Sequence, residues 1–330
     1  MDIKKQPNQL QIKPPKKHKD KKPDKLIWIL GVVAVLFVGM LVTVFVVTKT
    51  KPNNNQAEDA TIPSVCPGAN KQHPGHCISS NISSLALQPG KPFEYKFQIQ
   101  DGSNKPITNF QVGHEKIMHV LLIRKDRIGF QHLHPEFDKT SGTFTLKNVV
   151  IPQEGSYRIF ADFIDANVAE KEKATIAVYE DFQVGNSATA NKSVSSKEIT
   201  KTFGNTEVVL ITQPEILSVG ANTKLTLLIG NISANGAPVN DLRPYLGAFG
   251  HAVLFDDQLN LVHTHATSSK SEAEKGIVEF SFTPSQAGSL ALFAQVQRGS
   301  EVVTSDFGLH VNKSLSEIDN KINSGAHEGH

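Results

Sequence analysis

FGHAVLFDDQLNLVHTH, residues 249–265, holds two short apolar runs joined by a polar turn, and it ends on a histidine pair. Side chains on a strand alternate between faces, so His263 and His265 project to one side. His251 opens the first run. A turn centred on Asp257 sets His251 opposite His263, with Cβ atoms roughly 4.5–5.5 Å apart and His265 on the diagonal. Three imidazoles then share one patch of a hairpin.

The same pattern occurs earlier in the chain. IMHVLLIRKDRIGFQHLH, residues 117–134, aligns with it, one residue longer in the turn, and supplies His119, His132 and His134. Pro106 and Pro238 precede the two cores, and Pro152, Gly155, Phe160 and Ala161 match Pro284, Gly288, Phe293 and Ala294. The offset stays within 131–133 throughout, the mark of an internal duplication. Around each core lie further short apolar runs punctuated by Gly, Pro, Asn and Asp, such as PFEYKFQIQ (92–100), SYRIFADF (156–163), TKLTLLIGNI (223–232) and SLALFAQVQ (289–297). These read as strands, and no long amphipathic helix interrupts them. The expected fold is all-β: two tandem Ig-like or cupredoxin-like antiparallel β-sandwiches, 81–185 and 199–312. A polar linker, 186–198, joins them, and a tail, 313–330, follows with His327 and His330.

Charge divides the 330-residue chain unevenly, which its net +2 conceals. Residues 1–25 carry nine lysines against three aspartates, about +6, whereas residues 51–330 come to −5. No basic patch remains there to bind nucleic acid. Between the two, LIWILGVVAVLFVGMLVTVFVVT (26–48) has no charged residue. As a helix it would span roughly 34 Å, enough for a bilayer core. It is too long for a signal-peptide h-region, and no A-x-A site follows, so the expectation is an uncleaved, single-pass signal anchor. The lysine-rich head stays cytoplasmic by the positive-inside rule, and the chain beyond Lys49 lies outside the cell membrane. A tether with a Cys/His segment, 49–80, would lead to the first sandwich. Its two cysteines, Cys66 and Cys77, are the only ones in the chain. An oxidising compartment favours a disulfide between them. The alternative is a Cys/His metal site that includes His73 and His76.

Each histidine trio shares its face with apolar residues: Leu121, Ile123 and Phe130 in the first copy, Val253, Phe255 and Leu261 in the second. That predicts a site at the rim of each sandwich. Three crowded imidazoles repel when protonated, and a divalent ion held by neutral nitrogens relieves the repulsion. Three nitrogen ligands suit Cu(II) or Zn(II). Neither copy contains a cysteine, which excludes a blue-copper centre, and Met118 should face away from His119. His114 is either a fourth ligand on an approaching loop or a solvated side chain. Glu136 and Asp162 are candidate oxygen ligands, although Gln295 stands at the position matching Asp162, so that role is not shared. His310 reads as structural or exposed.

HEKIMHVLLIRKDRIGFQHLHPEF and DLRPYLGAFGHAVLFDDQLNLVHTHA resemble the cores of secreted or membrane-anchored bacterial proteins associated with heavy-metal resistance and copper transport. Their Ig-like or cupredoxin-like domains are similar to the YtkA-like family. The cysteine segment is similar to a heavy-metal Cys/His module, but lacks its second Cys-x-x-Cys half. The resemblance covers about 66–311 and implies extracytoplasmic metal handling. By position the implied ligands are His114, His119, His132 and His134, then His251, His263 and His265.

The reading is a non-catalytic binding protein for copper or zinc. A tandem Ig-like interaction module is the alternative. A cupin-type metalloenzyme is a third, weakened because H-L-H-P-E (132–136) lacks the longer cupin gap to its Glu and the second copy has no acid there. No nucleophile elbow, P-loop or dinucleotide fingerprint is present. The sequence names no protein partner.

Overall fold

The computed structural model describes residues 75–168, 175–186 and 198–313, all within one compact unit. The lysine-rich head, the apolar run 26–48, His73, Cys66, His327 and His330 lie outside the described residues. Among the described residues, no helix is long and apolar enough to cross a membrane.

The architecture is all-β, built twice. In the first copy, β1 (His76–Ser80), β2 (Pro92–Asp101), β7 (Thr143–Val150) and β6 (Glu136–Asp138) form one sheet in the order β1-β2-β7-β6, so the end of the expected tether, Cys77 included, is a strand of the sandwich, whose start lies before 81. The facing sheet runs β9 (Ile176–Val184), β8 (Gly155–Asp165), β4 (His119–Arg124), β5 (Gln131–Leu133), with β3 (Phe110–Gln111) also beside β8. Period-two alternation fills the space between them. Tyr95, Phe97 and Ile99 of β2 meet Val120 and Leu122 of β4 and Tyr157, Ile159 and Ala161 of β8. Met118 belongs to this core, turned away from His119 as expected.

The second copy repeats the plan. One sheet is built from β10 (Thr200–Phe203), β11 (Thr206–Gln213), β13 (Thr223–Asn231) and β18 (Ile277–Phe282), with β14 (Ala237–Pro238) also beside β13. The other orders β12 (Leu217–Ser218), β20 (Glu301–Asn312), β19 (Gly288–Arg298), β16 (His251–Phe255) and β17 (Leu261–His265), with β15 (Leu242–Arg243) against β19. Pairing is antiparallel apart from the two-residue β12–β20 contact. Gly250, just ahead of His251, sits where a Cβ would lie 2.9 Å from both Phe280 and Val278 and 3.0 Å from the Gln295 carbonyl. Gly250→Ala is therefore expected to overpack this core, at a cost of about 1–3 kcal/mol read as a lower urea midpoint.

The two copies are packed on each other. In β4 every residue from His119 to Ile123 is buried, and in β16 every residue from His251 to Phe255. One face of each strand looks into its own sandwich. The other enters a third core made by Leu121, Ile123 and Phe160 with Val253, Phe255, Leu259, Ala291 and Phe293. Phe130 stacks on Phe293, ring centroids 4.6 Å apart, and Phe160 meets Phe255 at 5.6 Å. Arg127, 4% exposed, crosses at the hairpin tip. It donates to the Ser289 carbonyl at 2.9 Å and pairs with Asp257 at 2.9 Å. So the face carrying the histidines is not a free rim. It is the seam between the copies.

Candidate metal centre

Each trio rides on one hairpin. In the second, the register pairs His251 with His265 and Val253 with His263, two residues from the expected pairing. The turn runs Asp256–Asn260, and the Asp256 carboxylate accepts from the backbone N–H groups of Gln258 and Asn260. Leu259 takes a positive φ of 60° to close it. The turn centre thus falls one residue beyond Asp257, which moves every partner by two. A two-residue shift preserves the face, so the three rings still converge. In the first hairpin Leu121 pairs with His132. Its extra residue is absorbed near Gly129, whose φ is 68°.

The inner nitrogens of His119, His132 and His134 lie within 4.8 Å of one another, as do those of His251, His263 and His265. Proton placement shows what these nitrogens carry. The His251 Nε2–H donates to the Tyr245 carbonyl at 2.7 Å, which leaves Nδ1 as a bare lone pair. The His263 Nδ1–H donates to the Asp162 carboxylate at 2.6 Å, which bares Nε2. Nδ1 of His251, Nε2 of His263 and Nε2 of His265 are all buried without a hydrogen-bond partner among the described residues. Buried polar atoms are rarely left so, because each forfeits its hydration. In the first trio the His119 Nε2–H donates to the Gly113 carbonyl, 3.1 Å, and the His132 Nδ1–H to Gln295 Oε1, 2.8 Å. His119 Nδ1 and His132 Nε2 then face each other at 3.0 Å as two lone pairs. His134 Nε2 lies 3.2 Å from the same Nδ1. A cation at about 2.0 Å from each nitrogen is the usual resolution of such a cluster.

Burial is the main force holding five of these rings neutral. It lowers His119 to about 4, His134 and His251 to about 3, and His132 and His265 to about 2, with neighbouring imidazoles adding to the effect. Neutral imidazole is the ligand form.

Each trio is finished by the other copy. Asp162 stands opposite His119 in the β4–β8 register, and Gln295 stands opposite His251 in β16–β19. These equivalent residues reach across the seam, Asp162 to His263 and Gln295 to His132. Asp162 is therefore a partner of a ligand rather than an oxygen ligand of its own copy, and Gln295 shares that role. The sequence contained the signal. HVLLI and HAVLF do not alternate, and such runs have both faces covered.

His114 does not join the trio of its own copy. Exposed, at a positive φ of 50°, it stacks on His265 with centroids 3.3 Å apart. Its burial-driven pKa shift is also downward. A small cleft of about 50 Å³, lined among others by His114, Asp162, His119, His263 and His265, borders both trios. Glu136 is exposed and pairs with Lys147. His310 is exposed on β20. His76 pairs with Asp165 at 3.0 Å, and Cys77 is disulfide-bonded, so its sulfur is not a free thiolate ligand.

No curated protein matches the chain. Solved structures with some likeness include a DUF4426 family protein from Pseudomonas aeruginosa PAO1, at 16% identity and TM-score 0.26, over 34% of this chain and 91% of that one. CopC from Methylosinus trichosporium OB3b is similar at 14% identity and TM-score 0.24, over 32% and 94%. The titin Ig tandem A164–A165 matches at 12% identity and TM-score 0.18, over 69% and 92%. None of these likenesses is strong enough to carry function. A family model does match, twice, over residues 77–189 and 201–313, one match to each sandwich. The chain belongs to the family described as domain of unknown function DUF8832, which it contains in two copies.

Proposed function

We propose that this is a non-catalytic metal-binding protein whose paired sandwiches hold copper, with zinc as the competing ion, through two three-histidine sites. The observation that carries the reading is the set of three buried inner nitrogens, on His251, His263 and His265, within 4.8 Å of one another and with no protein partner among the described residues. All-nitrogen donors favour Cu(II) over Zn(II) by intrinsic affinity. Three protein ligands leave room for an exchangeable fourth position, which suits buffering, sensing or delivery. The lysine-rich head and uncharged run 26–48 support a place at the cell membrane with the sandwiches outside the cytoplasm.

Full-length protein in detergent, loaded with Cu(II) and freed of excess, is expected to retain about two ions per chain, one for each trio. His263→Ala combined with His265→Ala is expected to remove one of them. Less than about 0.2 ion per chain in the wild type, unchanged in the double variant, would favour the tandem Ig-like interaction module instead. A bound ion should also stabilise the fold, by about 2.7 kcal/mol when free metal is at a hundred times Kd.

A further inference from the structure

The two trios are related by duplication, yet their surroundings differ at the seam. At one of two equivalent positions stands Asp162, at the other Gln295. Asp162 is 3% exposed on its side chain and His263 6%, and they meet at 2.6 Å. The Gln295 amide, 6% exposed, offers its oxygen to His132 at 2.8 Å and spends its N–H on Thr304 at 3.0 Å. One trio is thus backed by a buried carboxylate, the other by a neutral amide. A carboxylate on the distal N–H of an imidazole makes the other nitrogen a stronger donor and fixes the ring. It also sets one negative charge next to the cation, where the other site has none. A buried carboxylate is itself costly without a nearby positive charge, and the ion would supply one.

We propose that the two sites are a graded pair. The second trio (His251, His263, His265) holds metal tightly, and the first (His119, His132, His134) weakly. Asp162 and Gln295 are the positioning residues that set the difference, each acting on the ligand of the other copy. This rests on the metal-binding reading above. Its consequence is a filling order. Metal enters through the cleft beside His114 and occupies the second trio first, and the first trio takes up the excess. Rings of the two trios approach to 5.5 Å, His119 and His132 each to His263, so the two stores adjoin.

The test is a competition titration of metal-free full-length protein in detergent with Cu(II), against a chromophoric chelator. Two steps separated by at least tenfold are expected. His134→Ala should leave the tighter step and His265→Ala the weaker. Asp162→Asn should weaken the tighter step about 10–100-fold and leave the other within about threefold. Gln295→Glu should strengthen the weaker step, a gain that a merely structural role would not produce, and it stands even where Asp162→Asn folds poorly. Equal steps in the wild type overturn the proposal while leaving metal binding intact. So does Asp162→Asn acting on both steps or on neither, or Gln295→Glu giving no gain. If no step responds to His134→Ala or His265→Ala, the metal-binding reading falls and this proposal falls with it.

Discussion

Stripped of metal, the protein is expected to unfold on mild acidification, with its transition between about pH 4 and 6. Five imidazoles carry the argument. An unfolded chain protonates them near 6.5, whereas burial lowers His119 to about 4, His134 and His251 to about 3, and His132 and His265 to about 2 in the fold. Below pH 6.5 the unfolded state therefore binds more protons than the native one, so stability falls as pH falls. The slope is about 1.4 kcal/mol per pH unit for each such histidine. A typical domain has about 5–15 kcal/mol in all, so several of these groups together exhaust it within a few units. Urea titrations with a chelator at pH 7.0, 6.0 and 5.0 will show a falling midpoint. Cu(II) should move the acid transition to lower pH, because a ligated nitrogen cannot take a proton until the ion leaves. A midpoint that stays level between pH 7 and 4.5 would contradict the burial of these rings.

Phe255→Ala is expected to cost about 3–5 kcal/mol and to weaken both copper steps. The ring is fully buried in the seam, 5.6 Å from Phe160 and 6.2 Å from Phe130 and Phe293. Removing it loosens the contact that holds β4 and β16 against each other. The His132–Gln295 and His263–Asp162 hydrogen bonds both span that contact. Phe97→Ala is the matched control: Phe97 is equally buried, but lies inside the first sandwich. It should cost similar stability, seen by chemical denaturation, with copper affinities unchanged. If the two variants bind copper alike, the seam does not support the sites.

How far these features could be read from the residues differs by level. Strands and the duplication were legible because period-two alternation and turn residues are local signals. The trios were legible because H-x-H fixes a face, and a two-residue register error leaves that face unchanged. The register itself was not, since it depends on Asp256 closing the turn with its side chain and on Leu259 adopting a positive φ. The partnership of Asp162 with His263 spans 101 residues and two sheets, and no local pattern names the two partners, only that the strand has a covered outer face. The run HVLLI did hint at it. The apolar neighbours of the histidines suggest the rim of one sandwich, whereas the lack of alternation in this run points to cover on both sides.

The seam has the logic of an isologous dimer written into one polypeptide: each half offers an equivalent surface, and equivalent positions, Asp162 and Gln295, each reach a histidine of the other half. A half produced alone would bare Leu121, Ile123 and Phe160, or Val253, Phe255 and Phe293, and would tend to pair with its own kind. Two identical halves must carry identical side chains at every equivalent place. Joined on one strand of peptide, they are released from that constraint, and an aspartate can stand in one half where a glutamine stands in the other.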